Sequence, residues 1–238
     1  MLKISNLTKT YKGGKKAISN LSLEIAPGDI YGFIGHNGAG KTTTIKCVTG
    51  IFDFDEGEIC IDGKSIKEKP IECKMITAYI PDNPDLYENM TGIGYLTFVA
   101  DIFGVKRKKR EADIKKYADA FGITNNLGDL ISSYSHGMKQ KLAIISAFIH
   151  EPKLLILDEP FVGLDPSAAF VLKKFMKEFC EKGNSIFFST HVLEVAEKLC
   201  NRIAIVKNGK LLVSGLTEEV KGEESLENLF LELNDNEK

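Results

Sequence analysis

Gly35-His36-Asn37-Gly38-Ala39-Gly40-Lys41-Thr42 is the stretch on which the fold turns. It follows an apolar run, Ile30 to Ile34, and opens a helix-like segment, Thr43 to Val48. Glycines at this spacing let successive backbone N–H groups face one anion without Cβ interference, and the helix start adds its partial positive charge. Lys41 can then reach phosphate oxygens as a mobile point charge, and the Thr42 hydroxyl is placed to ligate Mg²⁺. The stretch reads as a phosphate cradle between a strand and a helix.

A cradle of this kind works with carboxylates at the carboxyl ends of neighbouring parallel strands. Leu154-Leu155-Ile156-Leu157 is apolar on both pleat faces, as a buried parallel strand should be, and ends in Asp158-Glu159-Pro160. Asp158 would hold the metal shell and Glu159 would polarise the attacking water. Pro160 keeps Glu159 out of helical geometry, beside the strand end. A third apolar run, Ile186-Phe187-Phe188, leads through Ser189 and Thr190 to His191, which places a γ-phosphate contact on the same rim.

The order of cradle, Tyr134-Ser135-His136-Gly137-Met138, Leu157-Asp158-Glu159-Pro160, Gly163-Leu164-Asp165 and His191 resembles the nucleotide-binding subunits of ABC transporters. The resemblance covers nearly the whole chain. It implies a P-loop NTPase of ABC type: an α/β fold with a mostly parallel core sheet flanked by helices, a small antiparallel β subdomain and a helical insert. It also implies ATP and Mg²⁺ as ligands. ATP contacts are expected from Tyr11, Gly35, Asn37, Gly38, Ala39, Gly40, Lys41, Thr42 and Thr43, and metal contacts from Thr42, Asp158 and Asp82. Catalytic roles fall to Glu159, His191 and Lys41. In this family the signature loop, here Ser135 and Gly137, faces the nucleotide of a second subunit, so one copy is an incomplete enzyme. That loop usually reads Leu-Ser-Gly-Gly-Gln; Tyr134, His136 and Met138 depart from it.

The residues carry structural readings of their own. Ser135 caps a helix that begins near Gly137 and presents Met138, Leu142, Ile145 and Ile149 on one face before Pro152. Asp165 caps another, with Pro166 at its first position. Asp82 stands, between Pro81 and Pro84, where most of the family has glutamine; it is expected to meet Mg²⁺ or the attacking water, or simply to start a turn. Tyr11 precedes Gly13-Gly14 at a hairpin turn, where the family stacks an aromatic ring on adenine.

With 238 residues, 43% hydrophobic and 27% charged, the chain can bury a sizeable core as one domain. A net charge of −2 gives no reason to expect nucleic acid. The five cysteines are odd in number and widely spaced, which suggests reduced thiols in a cytosolic setting. No apolar run approaches a membrane span, and Met1-Leu2-Lys3-Ile4 has no secretory character. The expected location is cytoplasmic, peripheral on the inner face of the cell membrane.

Runs at Leu2 to Ile4, Leu21 to Ile25 and Ile59 to Ile61 suggest the antiparallel sheet. From about residue 86 to 150 the pattern turns helical, with Ile93, Leu96, Val99 and Phe103 at helical spacing. Strands return at Leu154, Ile186, Ile203 to Val206 and Leu211 to Val213, the last two joined at Asn208-Gly209. Lys106 to Arg110 reads as a solvated helix start or turn, with a contact to lipid head groups or a permease as the alternative. A C-terminal helix, about residues 225 to 234, has Leu226, Leu229, Phe230 and Leu233 on one face, for docking on the core or for a dimer or partner contact.

No Asn-Lys-x-Asp element supports a GTPase, and a small-molecule kinase does not account for Ser135-His136-Gly137 followed by His191. Resemblance favours an ATP-binding subunit that drives a membrane permease with a second ATPase subunit. The loop Pro81 to Thr91 and the segment Ser225 to Phe230 are most similar to bacterial ABC-2-type exporters. The alternative is a soluble ABC-type ATPase acting on a cytosolic partner, for example one similar to iron–sulfur assembly factors.

Overall fold

The computed structural model describes residues 1–235. β1 (Leu2–Thr10) and β2 (Lys16–Ile25) lead into β3 (Ile30–Ile34) and α1 (Lys41–Val48). β4 (Glu56–Ile61), β5 (Lys64–Ser65), α2 (Pro70–Met75) and β6 (Thr77–Ile80) follow. The chain then turns helical through α3 (Gly92–Ile102), α4 (Arg107–Phe121) and α5 (His136–Ile149). β7 (Leu154–Asp158), α6 (Pro166–Glu181), β8 (Ser185–Thr190), α7 (Leu193–Leu199), β9 (Arg202–Lys207), β10 (Lys210–Leu216), α8 (Thr217–Lys221) and α9 (Leu226–Asp235) complete it.

Two sheets result. One is antiparallel, in the order β2-β1-β4-β5; the other runs β10-β9-β3-β8-β7-β6. Every pairing in the second is parallel except β9 with β10, whose turn at Asn208 and Gly209 has positive φ at both residues, as a two-residue hairpin of matching twist requires. β3, β7 and β8 are buried along their whole length. Their alternation still matters, because each pleat face feeds a different core. Tyr31, Phe33, Leu154, Ile156 and Phe187 join the antiparallel sheet and α1, while Ile34, Leu155, Leu157, Ile186 and Phe188 join α5, α6 and the helical segment. The parallel sheet is thus the middle layer, and its carboxyl edge is where the expected site residues emerge.

Two expectations shift. β6 is a strand on the edge of the central sheet, paired with β7, and carries Ala78 to Ile80 into the Asp82 loop. The buried face of α3 is Gly92, Leu96 and Ala100; Ile93 is 41% exposed, because the helix turns its glycine toward Tyr134. Lys106 to Arg110 does start a helix, and there Arg107 pairs with Glu111, Lys109 with Asp113 and Glu151, and Arg110 with Asp101. On α9, Leu226 and Phe230 are buried and Leu229 and Leu233 pack against the core.

Candidate functional site

The loop after β3 closes on α1 through Gly40, whose φ of +105° an L side chain rarely adopts and where a Cβ would sit 2.6 Å from the Ala17 carbonyl. Lys41 opens the helix and is buried. Its Nζ donates to the Gly35 carbonyl at 2.6 Å and to that of His36 at 3.4 Å, and lies 3.5 Å from Glu159 Oε1. On the other side of the same carboxylate, His191 Nδ1 is 3.0 Å from Glu159 Oε2. Two chain segments therefore converge on Glu159 at the end of β7, one opening the helix after β3 and one following β8.

Glu159 stands beside the end of β7, outside right-handed helical geometry as Pro160 requires, with a φ of +49°, a region few non-glycine residues occupy. Its N–H donates to the Ser189 hydroxyl at 3.1 Å and to the Ser189 carbonyl at 3.3 Å, so β8 holds the turn in place.

Asp158 is buried at the end of β7 and accepts a hydrogen bond from the Ser189 hydroxyl through Oδ1. Burial raises its pKa, nearby Asp82 and Glu159 raise it further, and the Ser189 and Thr42 hydroxyls pull it down. Its Oδ2 is buried without a hydrogen-bond partner among the described residues. An orphaned carboxylate oxygen costs free energy where it stands. Beside the Thr42 hydroxyl it fits a hard cation that takes oxygen ligands. Among the described residues no group of three His, Cys, Asp or Glu side chains could hold a metal alone. A Mg²⁺ site completed by substrate phosphates does not need one.

Tyr11, Asn37, Gly38, Gly40, Lys41, Thr42, Thr43, Asp82 and Glu159 line one pocket of about 340 Å³. Gly35 and His191 border an adjoining cleft, and Ala39 and Asp158 are buried. Tyr11 is half-exposed at the β1–β2 turn, bonded through its hydroxyl to Thr43 Oγ1 at 2.9 Å and edge-on to Phe52. The Asp82 carboxylate accepts from the Asn83 N–H, as a turn residue does, and Asp82 lines the cradle pocket. Lys15, Lys16, Ala17 and Asn208 also line the pocket. Sequence reading placed Asn208 in a hairpin, not at a ligand; only the β2 to β10 proximity, which is long-range, brings it there.

Ser135 and Gly137 do not line that pocket. Ser135 caps α5 by accepting from Met138 N–H at 3.3 Å. A Cβ on Gly137 would lie 2.8 Å from the Gly163 carbonyl, so the two loops are in close contact. Asp165 caps α6 by accepting from Ala168 N–H at 2.8 Å, and Lys141 on α5 reaches it at 2.7 Å. Buried Gln140 donates to the Pro160 carbonyl at 3.5 Å. These contacts fix the α5 amino terminus to the loop beyond Glu159.

The ABC transporter family profile matches residues 18–162, more than half of the chain. The chain belongs to the ABC transporter family. It is 36% identical over 238 residues to the ABC-type transporter ATP-binding protein EcsA of Bacillus subtilis (strain 168), covering 98% of this chain and 96% of that one. It is also 36% identical, over 213 residues, to the bacitracin transport ATP-binding protein BcrA of Bacillus licheniformis, covering 89% of this chain and 68% of that one. A solved ATP-binding subunit of an ABC transporter superposes with a TM-score of 0.95 at 33% identity, covering 99% of this chain and all of that one. This ABC protein is accordingly an ATP-binding subunit with ATP hydrolase activity. The soluble class is not favoured. Among the described residues no helix is long and apolar enough to cross a membrane.

Proposed function

We propose that Glu159 directs water onto the γ-phosphate of ATP in a site shared by two subunits, and that the released motion drives an exporter. The observation that carries this reading is the Glu159 carboxylate set between Lys41 at 3.5 Å and His191 at 3.0 Å, on the rim of the cradle pocket. ATP occupies that pocket with its phosphates along residues 35 to 43 and its base near Tyr11. Thr42 and Asp158 would hold Mg²⁺, with Asp82 reaching it or the water. Bound Mg²⁺ supplies positive charge that polarises the phosphate oxygens.

Lys41 exchanges its carbonyl partners for β- and γ-phosphate oxygens. Glu159 aligns a water in line and accepts its proton as the oxygen bonds to phosphorus and the β–γ bridge breaks. His191 steadies the γ-phosphate. The Ser135 hydroxyl and the amides at the α5 amino terminus near Gly137, presented by the second subunit, complete the charge stabilisation. Their place outside this chain's own pocket supports that division of labour.

The whole chain acts as one ABC-type ATPase domain, with the antiparallel sheet and nucleotide core joined by a helical subdomain of about residues 86–150. An apolar groove of about 570 Å³, lined by residues that include Val48, Ile51, Phe52, Phe54, Tyr79 and Phe103, joins the end of α1 to β6 and the helical subdomain. We assign it to the permease, because it touches the cradle helix and the strand leading to Asp82. Export is supported by the similarity to ABC-2-type exporters at residues 81–91 and by the relative concerned with bacitracin transport. The chain then lies peripherally on the inner face of the cell membrane. Replacing Glu159 by Gln tests the reading: turnover falls at least about 100-fold while ATP still binds. Hydrolysis near the original rate overturns it.

A further inference from the structure

The C-terminal helix α9 does more than cover the core. Its Leu226 is fully buried, and the Leu226 N–H donates to Glu197 Oε2 on α7 at 3.2 Å. Ser225 caps it by accepting from Asn228 N–H at 3.2 Å. So anchored, α9 brings the buried Phe230 ring to 4.6 Å from the imidazole of His36, centroid to centroid, at 54°. His36 is the second residue of the cradle. Its carbonyl accepts from Lys41 Nζ at 3.4 Å and from Ala39 N–H at 3.1 Å. One path of contacts therefore runs from α7 through Leu226 and Phe230 to His36, and through its backbone to Lys41. A cleft of about 310 Å³ lies along this path, and Gly35, Asn37, His191 and Glu227 share it.

We propose that Phe230 is a positioning residue for nucleotide binding: α9 braces the phosphate loop through the Phe230–His36 ring contact. The brace fixes where the His36 carbonyl sits, and with it the resting place of Lys41 and the curvature of the amides that face phosphate. A loop held in its binding geometry loses less conformational freedom when the anion arrives. ATP affinity thus depends on a helix more than 180 residues away in sequence. Any partner that lifts α9 would lower that affinity without touching the nucleotide. The inference rests on residues 35–42 being the ATP cradle.

The test is Mg·ATP binding to the full chain, measured by calorimetry on wild type, Phe230→Ala, His36→Ala and the double variant, with thermal melting of each without nucleotide. Aromatic pairs of this geometry lead us to expect a dissociation constant raised about three- to tenfold in each single variant. The double variant should be no weaker than the weaker single one, because both remove the same contact. Phe230→Leu keeps an apolar side chain without the ring and carries the test if Phe230→Ala fails to fold; it should lose the same affinity. Folded Phe230 variants that bind ATP within about twofold of wild type, or single effects that simply multiply, overturn the brace. Lys41→Ala separates the two readings. Unchanged binding there removes the cradle itself, whereas lost binding there with intact binding in the Phe230 variants removes only the brace.

Discussion

His191 Nδ1 lies 3.0 Å from Glu159 Oε2, joining the residue after β8 to the residue after β7. The pair sits where the two strands run parallel in register, Asp158 opposite Ser189. A single-residue slip of either strand would send one side chain to the other face of the sheet. The imidazole is half-exposed and the carboxylate mostly covered, so His191 has one side free for phosphate while Glu159 holds its orientation.

Replacing His191 by Ala should therefore lower kcat about 100-fold, on the scale of losing one preorganised transition-state contact, with KM for ATP changed by only a few-fold. Steady-state kinetics check the split. A rise in KM at unchanged kcat would place His191 in ground-state binding instead.

Asp82 adds negative charge beside Asp158, enough to help raise the Asp158 pKa. A cation between them would relieve both carboxylates. In Asp82→Ala the Mg²⁺ concentration for half-maximal ATPase activity should rise about tenfold or more. A Mg²⁺ titration identical to wild type would leave Asp82 as a turn residue alone.

Much of this arrangement could be read from the sequence, for physical reasons. β3, β7 and β8 are apolar on both faces because helices and a second sheet cover them, and the cradle glycines announce their backbone. β6 was hidden because it is four residues long and ends in a proline-flanked loop. The φ of Glu159 was hidden because the residue before a proline is ordinarily extended, and only the Ser189 hydrogen bonds, supplied by a distant strand, override that preference. Asn208 in the pocket and Phe230 on His36 depend on how far-apart elements pack, which local pattern does not encode.

His150 ends α5 with its ring stacked on Phe103, centroids 3.7 Å apart. Burial pushes its pKa below 6.5, opposed in part by backbone groups of Thr77 and Ser146. In the unfolded chain the imidazole titrates near its ordinary value. As pH falls through about 6.5 the unfolded chain gains a proton that the folded chain does not, so stability declines, by at most about 1.4 kcal/mol per pH unit from this residue. The decline ends once pH passes below the folded pKa. His150→Phe keeps a ring against Phe103 without the titration and should flatten melting temperature between pH 6.5 and 5 relative to wild type. An unchanged acid slope would contradict this.

The central claim is that two subunits complete each catalytic site, because Ser135 and Gly137 stand outside the pocket that holds Lys41 and Glu159. The most direct measurement is ATPase activity per subunit of the purified full chain as its concentration is raised, with molar mass followed by light scattering. The account predicts that activity per subunit climbs with the fraction of dimer and vanishes on dilution to monomer. Activity per subunit that stays constant in a solution of monomers would contradict it.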